Sequence, residues 1–200
     1  MLITYVEKTG RHKVRVTMAD EESFIISEKD WEGFGGKAGE DMDDALLLKF
    51  YQEYMLPKAK LRALNLLKVR DRSRQELNQR LKMDGYPASV IHKVMEYVDG
   101  YHYLDDVRFA RNYVDYKGGR KSRRELAYEL RGKGIDLNTV SADESLELPD
   151  DKETIRSILL KRWGTDMAPD QKEKERMMRY LGRRGFCGGD ILAVYRNLGI

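Results

Sequence analysis

One spacing recurs three times in these 200 residues, and it restricts the fold more than any other feature of the chain. Leu77, Leu81, Gly85 and Tyr86 return as Leu126, Leu130, Gly134 and Ile135, and again as Met177, Leu181, Gly185 and Phe186. In each copy the two apolar residues stand four apart, on one face of a helix. The glycine follows four later, where a left-handed residue ends a helix. Ile91, Val140 and Ile191 each fall six residues after the glycine, and the glycines are 49 and 51 residues apart. The starts repeat as well. Ser73 with Glu76 and Ser122 with Glu125 form capping boxes ahead of the first apolar position. The third copy lacks that serine, and its middle helix is expected from near Asp170, just after Pro169.

First helices are expected at about 58–68, 105–116 and 151–163. Their apolar positions are Leu61, Leu64 and Leu67; then Phe109, Tyr113 and Tyr116; then Ile155, Ile158 and Trp163. Three-helix units this small bury little alone and stack on their neighbours. The expected fold is therefore mainly α: nine helices in three tandem triplets, an elongated solenoid-like array.

The N-terminal residues read differently. Leu2–Val6, His12–Met18 and Ser23–Ser27 are β-branched and partly alternating, parted by Gly10 and by Asp20-Glu21-Glu22. A small antiparallel meander is expected. Gly33, Gly35, Gly36 and Gly39 read as a flexible joint, since they do not sit between a strand and a helix as a dinucleotide loop does. A connecting helix near 42–55 leads to Pro57, which can open the next helix at its first position. The expected organisation is a β-rich extension with its joint (1–40), a connecting helix (41–56), and repeats over 57–100, 101–147 and 148–200. The acidic interval Asp143–Asp151 reads as a hinge or a solvated turn.

Composition removes several function classes. Cys187 is the single cysteine, and His12, His92 and His102 are scattered, so neither a disulfide framework nor a zinc set is indicated. Asp105-Asp106 pairs two carboxylates, as a metal or general-acid site does, but no third ligand follows at helical spacing. The plainer reading makes Asp105 an N-cap and staples Leu104 to Phe109. Cys187 has no histidine nearby in sequence to act as its base, and no phosphate loop or nucleophile elbow occurs. No catalytic residue, metal or cofactor is expected. No apolar run reaches membrane-spanning length and the first residues lack a signal-peptide core, so a cytoplasmic monomer is expected.

The net charge of +3 conceals a gradient. Residues 1–56 carry 7 basic and 12 acidic side chains, whereas residues 57–100 carry 10 and 5. Basic residues gather at the entrances of the middle helices: Arg70, Arg72 and Arg74 in the first repeat, and Arg120, Lys121, Arg123 and Arg124 in the second. Cations there oppose the helix dipole. Their recurrence at equivalent places points to a docking surface for anions or acidic protein, with Arg183 and Arg184 adding a basic stretch in the third repeat. The acidic meander could pack on the basic first repeat or make a separate contact.

Three stretches resemble the RecX family of recombination regulators, in a long form with a β-rich extension. They are Ala63–Leu67 with Arg72–Leu77, Tyr103–Ala110, and Arg123–Leu126 with Leu130–Ile135. Arg183-Arg184-Gly185-Phe186 carries the resemblance into the third repeat. It implies a non-enzymatic modulator that binds the groove of the RecA filament and inhibits strand exchange, ATP hydrolysis, coprotease activity and filament growth. A direct DNA-binding helical module, on single or double strands, is the competing class.

Overall fold

The computed structural model describes residues 2–20, 22–137, 146–165 and 168–200. The chain divides into two compact units, residues 1–105 and 106–200. Its architecture is mainly helical, with a small N-terminal antiparallel sheet.

In the first unit, β1 (Ile3–Gly10), β2 (Lys13–Met18) and β3 (Ser23–Ser27) pair in that order. Val14 lies opposite Ile26 and Val16 opposite Phe24, so the period-two apolar residues share one face. Val14, Val16, Met18, Phe24 and Ile26 are all buried there. Ser27 ends β3 and caps α1 (Glu28–Phe34) by accepting from the Asp30 N–H, a helix not expected from sequence.

The glycine-rich stretch is not a slack joint. Gly35, with φ of 82°, closes α1. A Cβ on Gly36 would come 2.5 Å from the Trp31 ring. The Gly39 N–H donates to the Ile3 carbonyl at 2.9 Å, and the Ile3 N–H to the Glu40 carbonyl at 3.0 Å. Here glycine serves left-handed turns and close approach, which a sequence pattern cannot tell from flexibility.

Asp43 caps α2 (Asp44–Phe50), which continues through a π turn (Tyr51–Met55) into α3 (Leu56–Val69). Pro57 thus lies inside a continuous helical run instead of opening a new helix. Proline lacks an N–H and its ring crowds the carbonyl four residues back. The wider turn just ahead of it, closed by the Leu56 N–H on the Tyr51 carbonyl five back, accommodates both defects. The inward face of α3 is Ala59, Ala63 and Leu66, whereas Leu61, expected inside, is 61% exposed. Small residues on this face allow close packing against α5 (Ala88–Gly100).

α4 (Arg74–Met83) completes the first triplet. Sheet and triplet share one core, which joins Val16 and Phe24 to Leu77, Leu81 and Val94. The Phe50 ring sits 5.4 Å from Phe24 and 5.8 Å from Trp31. The Ile25 N–H donates to the Gly85 carbonyl at 2.8 Å. Of the two placements open to the meander, it packs on the first repeat, and chiefly through apolar side chains.

The second unit holds α6 (Asp106–Lys117), a 3-10 turn (Gly118–Arg120), α7 (Arg123–Gly132), α8 (Asp151–Trp163), α9 (Gln171–Arg183) and α10 (Gly188–Asn197). Val140, and with it the third helix expected in the second repeat, lies outside the described residues, as do Glu21, Asp143, Glu144 and Ser145. The rest of the acidic interval is anchored: Leu146 is buried, Pro149 packs near Gly118, and Asp150 caps α8. Phe109 and Ala110 are buried while Tyr116 is 75% exposed. Leu104 packs on the core of the first unit, and Phe109 belongs to a core of the second.

The recurring glycines do what their spacing requires. Gly85, Gly134 and Gly185 have φ of 89°, 79° and 85°. In each, the following N–H reaches back to a fully buried leucine: Tyr86 to Leu81, Ile135 to Leu130, and Phe186 to Leu181.

Candidate functional site

Both serine caps form. The Ser73 hydroxyl accepts from the Glu76 N–H at 3.1 Å and the Ser122 hydroxyl from the Glu125 N–H at 3.1 Å, with both serines fully buried. Buried hydroxyls of this kind fix where each middle helix begins, and therefore where the basic residues around it project.

In the first unit the basic cluster is partly neutralised within the chain. Arg74 makes a two-pronged pair with Asp99, at 2.5 and 2.8 Å. Arg70 approaches Glu76 at 3.4 Å, and Arg62 binds Asp84 at 2.7 Å. Arg72 is half-buried. Burial first, then the charge of Arg70, push its pKa down; Glu76 opposes this, and Arg80 and Arg62 add to it. Of the three cluster residues Arg70, Arg72 and Arg74, then, two hold carboxylates and one is drawn inward.

The second unit differs. Lys121 is tied to Glu125 and, more closely, to Glu129. Burial works against ionisation of Glu129, but the hydrogen bonds from Lys121 and Tyr113 outweigh it and hold the carboxyl below its ordinary value. The start of α7 receives two contacts from the third repeat: the Asp151 carboxylate accepts from the Arg123 N–H at 2.7 Å, and the Arg184 carbonyl accepts from the Ser122 N–H at 3.2 Å. A carboxylate at a helix N-terminus is favoured by the dipole, which offsets the cations of this segment. The side chains of Arg123, Arg124 and Arg183 are exposed, with no ion pair among the described residues.

Docking of the Gly185 corner on Ser122 also joins two basic stretches that lie far apart in sequence. Arg184 Nη1 donates to the Arg120 carbonyl at 3.0 Å, and its guanidinium lies 4.7 Å from the centre of the Tyr180 ring. Around this pair opens a groove of about 660 Å3. Arg120, Lys161, Arg162, Arg176 and Arg184 line it, with Glu173 as the acidic residue. Ile158, Trp163, Met177 and Tyr180 supply apolar and aromatic surface.

Sequence reasoning found Arg120 and Arg184 but missed Lys161, Arg162 and Arg176 as partners. Arg176, Tyr180 and Arg184 stand at four-residue spacing, a helical stripe that could have drawn notice. That α8 ends beside this stripe follows from tertiary packing. Among the described residues, no three side chains are arranged to hold a metal ion, and no helix is long and apolar enough to cross a membrane.

Comparison with known proteins finds three domain matches along the chain. Models of the first, second and third three-helix domains of RecX match residues 59–97, 105–142 and 150–195. A regulatory protein RecX of Chromobacterium violaceum is 34% identical over 68% of this chain and 87% of its own. That of Clostridium tetani is 25% identical over 98% of this chain and 94% of its own. A crystal structure of a regulatory protein RecX superposes with a TM-score of 0.57, covering 99% of this chain and 98% of the other at 19% identity. The RecX of Lactobacillus salivarius superposes with a TM-score of 0.55, covering 72% and 96% at 22% identity. With its three domain types matched in chain order and a relative matched above 30% identity over two thirds of its residues, this chain belongs to the RecX family of regulatory proteins.

Proposed function

We propose that this protein binds the RecA filament and inhibits it, restraining strand exchange, ATP hydrolysis, coprotease activity and filament extension in recombination and repair. The observation that carries the reading is the ordered match of all three RecX three-helix domains, whose relatives bear the name regulatory protein. The protein acts as a monomer in the cytoplasm and without chemistry of its own: its repeats offer many modest contacts to a periodic partner, as repeat arrays do. The exposed Arg123, Arg124 and Arg183 are the side chains best suited to acidic recombinase surface, since their charge is not spent within the chain. Arg72 and Arg74 add positive charge in the first unit, where Asp99 holds the Arg74 guanidinium.

A RecA strand-exchange and ATPase assay with substoichiometric protein tests the proposal. Inhibition is expected, weakening as salt rises. The triple variant Arg123→Glu, Arg124→Glu and Arg183→Glu should inhibit at least tenfold less well while melting normally. An unaffected ATPase at equimolar protein overturns the reading. Affinity for bare DNA that exceeds affinity for RecA-coated DNA favours a direct DNA-binding module instead.

A further inference from the structure

The groove of the second unit gathers several cations around one cavity. Elsewhere Arg62, Arg74 and Lys121 are matched to carboxylates. Arg120, Lys161, Arg162 and Arg176 line one cavity, yet among the described residues none of them forms an ion pair. Gathered like charges repel one another and lower the stability of the unit unless an anion joins them. Arg184 is already oriented by its bond to the Arg120 carbonyl and its place over Tyr180, so its guanidinium meets a ligand with little further ordering.

Two properties of the occupant follow. It must carry several negative charges in a small volume, because five cations, against the one carboxylate of Glu173, share about 660 Å3, a size typical of small-molecule sites. It must also present a flat apolar face, because Ile158, Trp163 and Met177 form the remaining wall. A single nucleic-acid strand spreads one charge per nucleotide along a track, and an acidic peptide spreads at most one side-chain carboxylate per residue along its length. We propose that this groove binds a free nucleoside polyphosphate, its phosphates among the arginines and its base against Trp163. The site is independent of the RecA reading and lies wholly within residues 119–184.

Trp31→Phe leaves Trp163 as the one tryptophan of the chain, so its fluorescence reports on the groove directly. ATP, inorganic triphosphate and a short oligothymidylate are titrated separately, with no recombinase present. Saturable quenching by ATP is expected, with weaker binding of triphosphate. Lys161→Ala and Arg176→Ala should each weaken ATP by about tenfold or more, the usual loss for a charged hydrogen bond to phosphate. Both side chains are exposed, and melting curves verify that the unit stays folded. Absence of saturable quenching at millimolar ATP overturns the proposal, and so does unchanged affinity in both variants. Triphosphate binding as tightly as ATP overturns the base contact, and oligothymidylate displacing ATP at lower concentration overturns the free nucleotide as occupant.

Discussion

Replacing Gly85 with alanine should unfold the first unit far more readily than the same change at Gly39. Both glycines are left-handed, with φ of 89° and 84°. An L-residue in that region costs roughly 1–2 kcal/mol, which applies equally to both. At Gly39 a Cβ meets nothing within 4 Å, so that cost is the whole effect. At Gly85 the new atom would come 2.5 Å from the Ile25 Cβ, 2.6 Å from its Cγ1 and 2.8 Å from its Cδ1. The Cβ is fixed to the strand and cannot rotate away, so β3 must shift and strain the 2.8 Å bond from the Ile25 N–H to the Gly85 carbonyl. Overpacking of this kind adds about 1–3 kcal/mol. The total of about 2–5 kcal/mol is a large part of a typical domain's stability. At a urea dependence of about 2 kcal/mol per molar, the midpoint should fall by about 1–2.5 M for Gly85→Ala and by about 0.5–1 M for Gly39→Ala. Trp31 fluorescence in a Trp163→Phe background reads the first unit by itself. Ile25→Ala should not rescue Gly85→Ala, because the closest atom is retained. Equal midpoints for the two glycine variants would refute the claim that β3 is seated on the Gly85 corner.

Other perturbations test the remaining arguments. Ser122→Ala should cost unit two about 1 kcal/mol in urea melts, the usual value of an N-cap, and an unchanged midpoint would show that the cap is idle. Glu129→Gln addresses acid sensitivity. The carboxyl is held below its ordinary value of 4.5, so its contribution is complete above that pH and fades as pH falls through the lower folded value. The variant should therefore be less stable at neutral pH, with a flatter acid limb below about 4.5; parallel curves would argue against the Lys121 pairing. Deleting residues 1–40 should abolish the cooperative transition of the first unit and spare that of the second, because the strands supply core to the first triplet. A deletion that left both transitions intact would mean that the sheet is dispensable.

Local chemistry was the legible part of this fold. Ser73, Ser122, Gly85, Gly134 and Gly185 each announce a helix end through a side chain or a conformation that few residues supply, and each stands where it was expected. Which face of α3 turns inward was not legible, because Ala59 and Ala63 are weakly apolar and Leu61 strongly so, yet closeness of approach outweighs side-chain size. Pro57 misled for a related reason: a proline marks a helix start unless the turn before it widens. The site divides in the same way. The clusters around Arg72 and Arg123 follow from position in the repeat, but ion pairing with Asp99 or Glu129 depends on contacts that sequence spacing does not encode. The groove depends on the end of α8 meeting the Arg176–Arg184 stripe, a meeting between elements that lie far apart along the chain.

The two docked corners have one further implication. At Gly185 the preceding carbonyl receives the N–H of Ser122, the cap of another repeat's middle helix; at Gly85 the glycine's own carbonyl receives the N–H of a strand residue, Ile25. A helix start and a strand edge are thus interchangeable plugs for the same kind of socket, since each brings one outward N–H into the room left by the glycine's missing Cβ. In the first unit the socket is filled from the protein's own N-terminus, which closes off a place where another helix start could otherwise have been seated. The sheet is, in that sense, an end stop: it occupies the first repeat's open corner with a segment that has no corner of its own to pass on.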